Sequence, residues 1–124
     1  MKKNFNHQER SKFTALENHL LNTFFSGLYF SAAEFINIAH SLGFAMDMNR
    51  RELLIKELLN KSYDKGILNK TLSMLNVMIE TRIQEYHQLA INYPHANTNM
   101  AQLAQKAKAT QALLARESKA NIYA

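Results

Sequence analysis

The chain has no cysteine and no tryptophan, and only one proline and three glycines among its 124 residues. Without cysteine there are no thiolate metal sites, no cysteine nucleophile and no disulfide scaffold, although either redox compartment stays open to it. So few turn-forming residues argue against a sheet protein, which needs many tight turns, and abundant Leu, Ala, Lys, Gln and Glu favour helices with short connections. The length fits one domain over residues 1–124, large enough to bury a core without a staple. Its ends, 1–8 and 118–124, are expected to fray.

Basic side chains are missing from one long stretch. Residues 13–49 contain no Lys or Arg, and only Glu17, Glu34 and Asp47 carry charge. Within it, LLNTFFSGLYFSAAEFINIAHSLGFAM (20–46) holds a single charge, Glu34. A membrane span or a signal sequence is not expected from it. Gly27 and Ser31 cut the run into pieces too short to cross ~30 Å of hydrocarbon, and Glu34, Asn37 and Ser41 keep a polar stripe. The N-terminal Lys2 and Lys3 precede a polar run rather than an apolar one. A cytoplasmic location is the expectation.

Five helices are legible. Phe13, Leu16, Leu20 and Phe24 follow helical spacing and predict a first helix from His7–Arg10 toward Gly27. Ser31-Ala32-Ala33-Glu34 is a capping box opening a second, which Gly43 stops. A third is expected from Asp47, as N-cap, to Gly66. The fourth runs from Leu68 to Tyr93, with a seam of Leu68, Leu72, Leu75, Ile79, Arg82, Tyr86, Leu89 and Tyr93, and Pro94 ends it. After PHANTNM, Asn97 or Thr98 caps a fifth, whose apolar strip (Met100, Leu103, Ala107, Thr110, Leu114) is narrow. The fold class predicted is all-α, an antiparallel bundle of about five helices with a peripheral or projecting C-terminal helix.

Catalytic and metal chemistry has little to stand on. Neither HExxH nor Glu-x-x-His occurs; Gln84-x-x-His87 comes nearest, and Gln is a poor ligand. There is no phosphate loop or nucleophile elbow, and Glu80 and Glu85 point to different sides of their helix. No cofactor and no small-molecule substrate is expected, and no enzyme activity.

Two binding readings remain. The preferred one is a protein-interaction module that docks a protein partner and self-associates. It uses an aromatic corner between the first two helices (Phe24, Phe25, Tyr29, Phe30, Phe44) and the under-filled last helix (Leu103, Leu114), because aromatic residues are enriched at interface cores. The alternative is a nucleic-acid-binding accessory protein. The net charge is +5, and residues 50–70 carry Arg50, Arg51, Lys61, Lys65 and Lys70, so phosphate contact needs only that these converge. A helix-turn-helix over the third and fourth helices would turn Asn69, Lys70, Ser73 and Asn76 outward as base readers. Against it, Lys61 and Lys65 occupy positions such motifs bury.

Overall fold

The computed structural model describes residues 12–120, and within them the fold is all-α. Six helices follow in order: α1 (Thr14–Leu21), the single turn α2 (Thr23–Ser26), α3 (Ala32–Ser41), α4 (Arg51–Asp64), α5 (Leu68–Asn92) and α6 (Asn97–Ala120), with a 3-10 turn at Pro94–Ala96 before the last. No strand occurs among the described residues. The fraying expected of residues 1–8, and a helix start at His7–Arg10, lie outside them. Residues 118–120, expected to fray, form the end of α6.

The first predicted helix is broken. Asn22 is extended (ψ 103°), and its side chain accepts from the Phe24 amide at 3.0 Å, capping a new turn. The capping box at Ser31 forms as expected: Ser31 Oγ accepts from Glu34 N at 3.2 Å and Glu34 Oε1 accepts from Ser31 N at 2.8 Å. The other oxygen of Glu34 takes Arg82 Nη2 at 2.7 Å. One carboxylate thus caps α3 and ties it to α5, which explains a cation at a seam position of the fourth predicted helix.

The helix predicted to begin at Asp47 starts instead at Arg51. Residues 43–50 form an irregular crossover with Met46 buried beneath it. At one end Arg51 Nε donates to Phe30 O, just before α3, at 2.6 Å, and at the other Lys65, just after α4, sits 5.7 Å from the ring of Phe44, just after α3. Like ends meet, so α3 and α4 run in the same direction, unlike the antiparallel packing expected. The hydroxyls of Ser62 and Thr71 meet at 2.6 Å in the core, pinning the α4–α5 turn.

Helices α5 and α6 are antiparallel along their whole length. Asn69 meets Ser118 at 2.9 Å, Glu80 meets Gln111 at 3.0 Å, and His87 and Ala90 share a groove with Asn97 and Ala101. The narrow strip on the last helix suffices because small buried residues, Ala104, Ala107 and Thr110, let backbones approach closely. Of the two arrangements expected for this helix, the chain takes the packed one. The core gathers Phe13, Leu16, Leu20, Phe30 and Phe35 with Leu54, Leu58, Leu75 and Ile79.

Candidate functional site

The aromatic corner is built on the α2 turn. Gly27 ends it with φ +74° and lies so close to α6 that an added Cβ would sit 2.6 Å from Leu103 O and 2.9 Å from Lys106 Cβ. The buried Ser26 hydroxyl both accepts from Leu28 N and donates to Leu28 O, each at 3.1 Å. Tyr86 donates its hydroxyl to Gly27 O, and Thr110 reaches Ser26 O at 3.2 Å. Two helices therefore hold the backbone of this turn directly.

His19 completes the support. Its Nε2 is 2.8 Å from Thr110 Oγ1. The single Thr110 proton also has two carbonyls in reach, Ser26 O at 3.2 Å and Lys106 O at 3.1 Å, and when it serves one of them the hydroxyl oxygen can accept from an Nε2–H of His19. Burial pushes the His19 pKa below its usual 6.5. Between the two values the unfolded chain binds more protons than the folded one, so this group's contribution is complete above pH 6.5 and is lost as pH falls toward the folded value. Thermal melts should show a loss of stability on acidification that is smaller in His19→Gln, whose amide can still donate to Thr110.

On this fixed backbone three aromatic rings face outward: Phe24 is 71 %, Phe25 57 % and Tyr29 56 % exposed. Phe25 meets Phe24 edge-on at 5.5 Å. Two of the three rings carry a cation, Lys106 Nζ at 4.2 Å from the Phe24 ring centroid and Arg51 Cζ at 4.2 Å from that of Tyr29. Arg51 Nη2 is buried with no hydrogen-bond partner.

The remaining residues expected at this surface divide differently. Phe30 and Leu114 are core residues, 0 % and 2 % exposed, and drop from the docking candidates. Phe44 and Leu103 are half-buried. Leu103 lies at the edge of the corner, since its carbonyl faces Gly27.

The basic residues do not converge. Arg50 and Arg51 stand at the start of α4, whereas Lys61, Lys65 and Lys70 lie around its far end, roughly 15–20 Å away by the helix rise. Arg51 is committed to Phe30 O and Tyr29, and Lys61 pairs with Glu57 at 2.8 Å. The face that a recognition helix would offer to DNA is bordered by α6: Ser73 and Asn76 line a cavity with Gln111 and Ser118, and Asn69 bonds Ser118. Among the described residues no three of His, Asp and Glu gather where a metal ion could be held. None of the helices among the described residues is long and apolar enough to cross a membrane.

No family model, curated protein or solved structure matches this chain. Its own geometry is what bears on function.

One surface went unforeseen. Leu89 and Tyr93 belonged to the expected seam, yet they are 41 % and 61 % exposed, and Ile91 is 71 % exposed. Tyr86 is the last residue of α5 packed against the core and Ala104 the first buried one of α6, so the hairpin between them overhangs the core by about 9 Å. A usable signal existed in the sequence: Tyr86 through Gln105 contain no Asp, Glu, Lys or Arg.

Proposed function

We propose that this chain is a non-enzymatic protein-interaction module of the cytoplasm, one that associates with itself and captures a partner segment at the Phe24–Phe25–Tyr29 corner. What supports this reading is exposed aromatic area on a backbone held by α5 and α6. Aromatic anchors fixed before binding lose little conformational entropy on docking, so more of the contact energy reaches the affinity. Lys106 beside Phe24 and Arg51 beside Tyr29 favour a segment with apolar side chains flanked by Asp or Glu, since complementary charge steers and orients encounter.

Selection from a displayed random-peptide library tests this. The chain should enrich peptides pairing aromatic or Leu residues with acidic ones, and a Phe24→Ser, Tyr29→Ser double variant should bind them at least tenfold more weakly. Its stability should change by only about 0.5 kcal/mol per site, as is usual for exposed positions. Equal binding by both proteins would sink the reading.

The nucleic-acid reading keeps one observation. Exposed rings beside cations are also a stacking platform for single strands. Binding of that kind would show as oligonucleotide affinity that falls steeply between ~50 and ~500 mM salt.

A further inference from the structure

We infer that the overhanging tip of the α5–α6 hairpin is the contact by which two copies of this chain pair. The inference rests on the interaction-module reading but assigns self-association to a surface distinct from the aromatic corner.

The first ground is charge. The protein carries 25 charged residues among 124, yet the twenty from Tyr86 to Gln105, which make both sides of the tip, hold none. A two-fold contact sets each patch against its own copy, so every fixed charge in it would meet its like at close range. On a chain of net charge +5, a neutral patch is the region that two copies can bring together without repulsion. An acidic partner would instead be drawn to lysine and arginine, which residues 86–105 lack.

The second ground is shape. Three apolar side chains near the tip are exposed, Leu89 and Tyr93 on one face of α5 and Ile91 on the opposite one. Beside Ile91 lies a groove of about 380 Å³ between the two helices, lined by His87 and Ala90 on α5 and by Ala101, Ala104 and Lys108 on α6. Ile91 is one turn beyond His87, so knob and groove stand side by side on one face. A two-fold axis passing between them places the Ile91 of each copy in the groove of the other, and the antiparallel hairpins close into a four-helix contact. Lys108 at the lower rim is within Coulombic reach of Glu80, which offsets its charge.

The test is the mass of the full chain by light scattering after size exclusion, at about 100 μM and at ~50 and ~500 mM salt. The wild type is expected as a dimer at both salt concentrations. Ile91→Glu and Ile91→Lys should each be monomeric with an unchanged circular-dichroism melt, their dimer weakened at least a hundredfold by like charges near the axis. Mixed at low salt, the two variants should pair again, which a folding defect could not produce. Phe24→Ser should leave the dimer intact, so loss of peptide capture and loss of self-association read out separately. A wild-type monomer overturns the inference while leaving peptide capture standing. So does a dimer that survives Ile91→Glu, or one broken by Phe24→Ser alone.

Discussion

Gly27→Ala is expected to destabilise the fold by about 2–5 kcal/mol, through two independent costs. A left-handed backbone costs a non-glycine residue roughly 1–2 kcal/mol, and forcing an atom into a packed contact costs about 1–3 kcal/mol more. The packed contact cannot yield easily, since the nearest atom is the Leu103 carbonyl oxygen, part of helix backbone, 2.6 Å from where the methyl would sit. Relief requires α2 and α6 to separate, and that movement would strain the Tyr86 bond to Gly27 O and the Thr110 bond to Ser26 O. Denaturant unfolding checks the figure. Peptide capture should fall with it, because the turn that fixes Phe24 and Phe25 would be displaced. Retained stability would mean that the α2–α6 approach is looser than described.

Phe30→Ala carries the other large effect, a loss of about 3–5 kcal/mol, as is usual for emptying a buried phenylalanine site. Phe30 is 0 % exposed and packs against Phe35 at 5.9 Å between ring centroids. Its backbone carbonyl, which the substitution keeps, still accepts from Arg51 Nε, so the loss reports the ring and its cavity. The melting temperature should fall by roughly 10–20 °C for a chain of this size. Phe24→Ala, six residues earlier, is the control: a ring 71 % exposed should be removable with little change in stability. Similar losses for the two would place Phe24 in the core and remove the docking corner.

Those two phenylalanines mark the limit of what the sequence discloses. Phe24, Phe25, Tyr29 and Phe30 stand within seven positions, and residue type cannot say which of them turns inward. The division follows from Asn22, whose side chain restarts the helix, and from Gly27, whose turn redirects the chain. Both act through geometry that a continuous helical reading from Phe13 to Phe24 conceals. Features carried by local chemistry were legible: the Ser31–Glu34 box, the stop at Gly43, and the long fourth predicted helix with its end before Pro94. Features set by how far a neighbour extends were not. Leu89 and Tyr93 continue the seam in perfect register, and they are exposed because α1–α4 end short of them. The direction of α4 relative to α3 was equally hidden, since hydrophobic periodicity is the same whichever way a helix points.

The crossover between α3 and α4 has a consequence for how the length of this chain can vary. Its eight residues can span about 26 Å when extended, whereas returning along the ten residues of α3 requires roughly 15 Å. The connection therefore has slack. Added residues would loop outward at small entropic cost, because loop closure depends only weakly on length. Removing six would leave three links between Leu42 and Arg51, a reach of about 10 Å, too short to bring Arg51 back to Phe30 at the start of α3. Length change at 43–50 is thus asymmetric: the segment can absorb insertion, while deletion would select a different topology.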